Sequence, residues 1–124
     1  MTSWTKEELA KIGNAEELDI ASRRPDGTFR PFVTIWVVRA DGDLYVRSVN
    51  GRSGAWFLRA LAAGEGRIRA GGVERDVAFE EAGSAVQAPV TAAYHEKYDR
   101  YGPSIVGTVV TSDAAATTLR LGPP

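Results

Sequence analysis

The chain contains no cysteine and a single histidine, His95, among its 124 residues. Without thiols it has no disulfide, no thiolate nucleophile and no thiolate-bound metal. One imidazole is too few for the usual transition-metal sites. No run approaches the ~18 consecutive apolar residues of a membrane span, and the opening MTSWTKEELAKIG lacks the basic-then-apolar layout of a signal peptide. The expectation is a cytoplasmic protein with no membrane partner. Paired carboxylates are lacking too: the acids are scattered over positions that read as solvent-exposed, so acid–base chemistry of the chain's own is not indicated. Lysine is scarce, three residues against twelve arginines.

What is present is the composition of one globular domain, 44% hydrophobic and 25% charged. A net charge of −1 conceals a segregation, because ten arginines stand against five acids between Ile20 and Arg75 while the flanks carry −6. Arginine is the side chain whose planar fork suits phosphate and carboxylate.

Thr5 and Glu8 form a capping box, which predicts a helix over 5–12 ending at Gly13, with Trp4 placed to staple it. A strand is expected over 17–22, then a turn region SRRPDGTFRP. PFVTIWVVRA reads as the strongest strand, apolar on both faces and therefore central. Asp41-Gly42 predicts a tight hairpin into DLYVRSV. Ser53 is placed to cap a helix running to about Ala63, and GRIRAGGVERDVAFE to form a hairpin at Gly71-Gly72. A helix over 87–101 carries Val90, Tyr94, Lys97, Tyr98 and Tyr101 on one stripe, and strands are expected at 104–112 and 117–121. The sum is an α+β protein, a small antiparallel β-barrel with about three flanking helices.

The stretch VRSVNGRSGAWFLRAL, residues 46–61, sets Arg47, Arg52 and Arg59 around one glycine turn between a strand and a helix. Free N–H groups and the positive end of the helix dipole converge at such a turn, a geometry that suits an anion, and Asn50 adds a donor. The alternative is a surface turn with solvated arginines. Gly51-Arg52-Ser53-Gly54-Ala55 falls one glycine short of a nucleophile elbow, and hairpin spacing in a short chain does not build the parallel sheet that motif needs. With no catalytic set legible, a reaction would have to be carried by a bound cofactor. Nucleic acid is disfavoured, since the chain as a whole is acidic and lacks an aromatic-and-basic strand pattern.

The order of the basic loop SRRPDGTFRP, the strand ending Ile35-Trp36-Val37, Gly42-Asp43-Leu44-Tyr45-Val46, Ser48, Asn50-Gly51, Trp56 and Arg67-Ile68-Arg69 resembles the flavin- and deazaflavin-binding split β-barrel superfamily. That is the group of pyridoxamine-phosphate oxidase and the deazaflavin-dependent nitroreductases. The resemblance runs from about residue 17 to residue 80; residues beyond 82 do not match the enzymes at motif level. Over nearly the whole chain the sequence is also similar to a branch of uncharacterised bacterial proteins placed in that superfamily. The resemblance implies a homodimer binding FMN or a deazaflavin (coenzyme F-420), with hydride transfer to a small organic acceptor. Carried over by position, Arg23, Arg24, Gly27 and Arg30 would grip the cofactor's phosphate. Arg47, Ser48, Asn50, Gly51 and Arg52 would give further contacts, and Trp36, Tyr45 and Trp56 would wall the ring. The competing expectation is a non-catalytic split barrel binding another anionic small molecule or a protein partner.

Overall fold

A computed structural model describes residues 4–40 and 42–123. Helix α1 (Lys6–Gly13) opens at the expected capping box: the Glu8 N–H donates to Thr5 Oγ1 and the Thr5 N–H to Glu8 Oε1, each at 3.0 Å. Strand β1 (Leu18–Ser22), the short strands β2 (Val33–Ile35) and β3 (Val38–Ala40), and β4 (Asp43–Val46) follow. Next come α2 (Ala55–Ala63), β5 (Glu65–Ala70), β6 (Val73–Glu81), α3 (Gln87–Tyr98), the single-turn helices α4 (Pro103–Val106) and α5 (Ser112–Ala115), and β7 (Leu119–Gly122).

The seven strands form one antiparallel sheet in the order β2-β1-β5-β6-β7-β4-β3, curled into a split barrel. The expected central strand is a correction. PFVTIWVVRA breaks at Trp36-Val37 into β2 and β3, which are the two edges of the sheet. The chain crosses the mouth of the split there, with Val37 buried in the barrel core and Val38 buried on the opposite side, against α3. The strand expected at 104–112 is replaced by α4 and turns. Pro103 starts a helical turn, and Val106 and Val109 pack under α3. The Gly71-Gly72 hairpin stands as expected, with Ala70 opposite Val73. Of the predicted hairpin at Asp41-Gly42, Asp41 lies outside the described residues, and Gly42 has φ +84°.

Two cores result. The barrel interior holds Leu9, Ile12, Ile20, Val46, Phe57 and Leu121, and Trp4 seals it by donating its indole N–H to the Leu121 carbonyl at 2.8 Å. The second core lies between β3–β4 and α3, around Tyr45, Val90, Tyr94 and Tyr98. Strand parity separates them: Leu44 and Val46 point into the barrel, Tyr45 toward α3. The tightest backbone approach is at Gly66, where an added Cβ would fall 2.1 Å from the Ala21 carbonyl oxygen. Gly66→Ala is therefore expected to cost about 1–3 kcal/mol through overpacking. Gly83→Ala, with nothing within 4 Å of the added atom, serves as the unaffected control in parallel urea denaturation.

Among the described residues no helix is long and apolar enough to cross a membrane.

Candidate functional site

A groove runs between α2 and the edge strand β2. One end is a hollow of about 560 Å³ lined by Arg23, Arg24, Gly27 and Arg30 of the loop and by Arg59 and Ala63 of α2. Arg30 and Arg59 also line a constriction of only about 10 Å³ that includes Trp56, and Trp56 in turn lines a hollow of about 260 Å³ with Trp36, Val49 and Ile105. The local structure explains the lining. Trp56, Arg59 and Ala63 recur at helical spacing on one face of α2, while Phe57 and Ala60 face the barrel core. The small side chains of Ala62 and Ala63 leave room opposite the loop.

The loop is an ordered hairpin. The Arg24 N–H donates to the Thr28 carbonyl at 2.7 Å, and the Arg30 N–H to the Ser22 carbonyl at 2.9 Å. At its tip Asp26 Oδ1 accepts from the Thr28 N–H and hydroxyl, and these bonds hold the Asp26 carboxyl below its usual range. Gly27, at φ +90°, turns the tip with open space around it. Arg23 pairs with Glu65 and Asp76, whereas no carboxylate reaches ion-pair distance of Arg30 or Arg59 among the described residues. Two guanidinium groups with no ion-pair partner among the described residues therefore face one hollow, whose lining also includes Glu65, the partner of Arg23. They are donors without an acceptor, chemically complementary to a phosphate.

The structure places the sequence-derived residues in three settings. Arg23, Arg24, Gly27, Arg30, Trp36 and Trp56 all line the groove. Arg47 touches its far end from beneath, but its guanidinium belongs to the second core, 2% exposed. Nε donates to Thr118 Oγ1 at 3.0 Å, and the terminal nitrogens donate to the Val109 carbonyl and Gln87 Oε1, each at 2.9 Å. Burial lowers its pKa, with Tyr94 opposing. Tyr45 is likewise 4% exposed in that core. Ser48, Asn50, Gly51 and Arg52 form the third setting, a turn packed on α5. A Cβ on Gly51 would meet Asp113, and Arg52 donates to Glu81 and to the Ala116 carbonyl, each at 2.8 Å. The Ser48 N–H donates to Thr117 Oγ1 at 2.8 Å.

The loop arginines meet Arg59 across a hollow, not Arg47 and Arg52. The cap of α2 is Gly54, not Ser53, whose hydroxyl donates to the Asn50 carbonyl. Arg59, which the sequence sets near the glycine turn of residues 46–61, lines the hollow from one turn further along α2. Its spacing from Trp56 on a helix face was the signal that could have found it. His95 lies on the surface, its Nδ1 2.9 Å from Asp99 Oδ1.

Behind the groove, the half-buried Lys97 amine donates to the Val37 carbonyl at 2.7 Å, and burial pushes its pKa down to about 8 from 10.5. Between those values the folded protein has released a proton that the unfolded chain still holds, so stability rises with pH across that window. Lys97→Met is expected to flatten that rise, read as urea midpoints measured at steps through the window for both proteins.

The model of a family described as "Uncharacterized protein conserved in bacteria (DUF2255)" matches residues 8–121. No curated protein matches the chain. Among solved structures, the chain is similar to a conserved hypothetical protein from Mycobacterium tuberculosis, at 14% identity and TM-score 0.63, covering 97% of this chain and 79% of that one. It is similar to an F420 reductase at 13% identity and TM-score 0.62, over 98% of this chain and 96% of that one. A FAD-binding protein from Mesorhizobium loti aligns at 15% identity and TM-score 0.58, over 98% and 91%. At such identities these likenesses speak for the fold, which is the split barrel.

Proposed function

The chain belongs to the DUF2255 family of bacterial proteins, and from that premise we propose that its groove binds a phosphate-bearing cofactor of the flavin type, FMN or a deazaflavin. The observation that carries the reading is the placement of two hollows along one side of α2, one lined by Arg30 and Arg59 and the other by Trp56 and Trp36, joined by a constriction that Arg30, Arg59 and Trp56 share and that a ligand spanning both would widen. Guanidinium groups suit a phosphate, and the two indoles suit a planar ring. That the similar structures include an F420 reductase and a FAD-binding protein supports a ligand of this class.

In this reading Arg30 and Arg59 hold the phosphate and Arg24 adds to the positive field. Trp56 and Trp36 orient the ring and keep water from one side of it. When bound, such a cofactor supplies hydride chemistry toward a small organic acceptor, which makes the protein an oxidoreductase. The half-exposed Val49 and Ile105 at the ring end, 54% and 47% exposed, are surfaces that a second copy would cover, in keeping with a homodimer.

The test is a fluorescence titration of the purified protein with FMN and with the deazaflavin, inorganic phosphate serving as a competitor. Saturable binding that phosphate weakens supports the reading. No binding of either cofactor removes it, and phosphate binding alone would then favour a non-catalytic barrel for another anionic small molecule.

A further inference from the structure

We propose that Trp36, Tyr98 and Tyr101 form an electron-supply path from the protein surface to the groove, ending in a proton-coupled donor made of the Tyr101 hydroxyl and the Glu16 carboxylate. Trp36 is a wall of the ring-end hollow. Its other side stacks on Tyr98 with ring centroids 3.9 Å apart and planes 2° from parallel, and Tyr101 lies 5.8 Å from Trp36 and 6.2 Å from Tyr98. Tyr101 is 40% exposed, while Tyr98 is fully buried. Three redox-active rings in mutual contact thus connect the groove to solvent.

The hydroxyl partners decide which ring is the terminal donor. An oxidised phenol is a strong acid, so a tyrosine gives up an electron readily only where a base can take its proton. The Tyr98 hydroxyl shares its proton between the carbonyls of Glu16, at 2.7 Å, and Val37, at 3.1 Å, and accepts from the Val37 N–H. Neither carbonyl is a base, and burial pushes the Tyr98 phenol up to about 12. Tyr98 therefore serves as a stacking bridge that spreads charge from the Trp36 radical. The Tyr101 hydroxyl, by contrast, donates to the Glu16 carboxylate, which Arg100 also pairs.

The step balances as follows. One electron passes from the Trp36 indole to a one-electron oxidant in the groove, an excited flavin-type ring or a small inorganic radical. An electron from Tyr101 refills the indole, and the Tyr101 phenolic proton moves to Glu16. The products are the reduced oxidant, a neutral Tyr101 phenoxyl radical and a protonated Glu16. A small reductant of the ascorbate class can restore Tyr101 at the surface. Only the flavin-type oxidant rests on the function proposed above; the path itself does not.

Pulse radiolysis with azide radical, which oxidises indoles, tests the path without any cofactor. Tyrosyl absorption should grow as tryptophanyl absorption decays, at a rate independent of protein concentration. Tyr101→Phe should abolish the growth of tyrosyl absorption and Glu16→Gln, also at an exposed position, should slow it by about tenfold or more; Trp36→Phe should remove most of its yield, and Tyr94→Phe should leave it unchanged. Equal transfer in wild type, Tyr101→Phe and Glu16→Gln overturns the proposal. Flash photolysis with added FMN forms the second arm, in which bound flavin should be quenched in wild type and less so in Trp36→Phe. An intact azide result with no quenching of FMN leaves the path standing and removes flavin as its oxidant, so the two readings fail separately.

Discussion

Arg47→Ala is expected to destabilise the fold by about 3–5 kcal/mol, a large share of the ~5–15 kcal/mol by which domains are stable. The guanidinium ties four segments together: the end of β4, the start of α3 through Gln87, the turn after α4 through Val109, and Thr118 before β7. No carboxylate accompanies it in those bonds, so the buried charge is held by oxygens that are neutral. Truncation takes from the Val109 carbonyl the donor it has there, leaves Gln87 Oε1 with the Thr118 hydroxyl as its donor, and opens a cavity beneath Tyr94, whose ring lies 5.4 Å from the guanidinium carbon. Arg52→Ala offers the contrast. Its ion pair with Glu81 is half-exposed on both sides, and loss of such a pair costs ~0–1 kcal/mol. Urea midpoints for the two variants check the difference. Equal values would mean that Arg47 is not the internal tie described here.

Arg59→Ala should lower FMN affinity by about tenfold to a hundredfold, the loss of one charge-assisted hydrogen bond of ~1.5–3 kcal/mol. Arg59 is exposed and pairs with no acid among the described residues, so its removal should leave the urea midpoint unchanged. Riboflavin, which lacks the phosphate, should bind wild type and Arg59→Ala alike. The cycle of two ligands and two proteins isolates the guanidinium–phosphate term. Raising the salt concentration should weaken FMN more than riboflavin. If riboflavin loses as much as FMN, Arg59 acts on the ring or on the fold, and the phosphate end of the groove is misplaced.

Local chemistry made much of the fold legible. The Thr5–Glu8 box, the Gly71-Gly72 hairpin and the Val90–Tyr94–Tyr98 stripe each depend on neighbours within a few residues. The errors fall where distant contacts decide. VTIWVV has the composition of a central strand, yet the sheet ends on both sides of it, and sheet order is not a local property. IVGTVVT has the β-branched composition of a strand, but Val106 and Val109 are drawn under α3 and win over propensity. The site shows the same division. Pro25 and Gly27 mark the loop that carries Arg23, Arg24 and Arg30, so this half was readable. Arg47 and Arg59 look equivalent in sequence. Parity puts Arg47 on the Tyr45 side of β4, and only the placement of α3 turns that side into an interior.

The peptide at Val37 joins the two edges of the sheet, and α3 grips it from both sides: the Tyr98 hydroxyl meets its N–H and its carbonyl, and Lys97 binds the same carbonyl. One helix thus acts as a lever on the gap in the barrel. Because Trp36 directly precedes that peptide, the seating of α3 fixes where the indole wall stands, with residue 37 as its anchor.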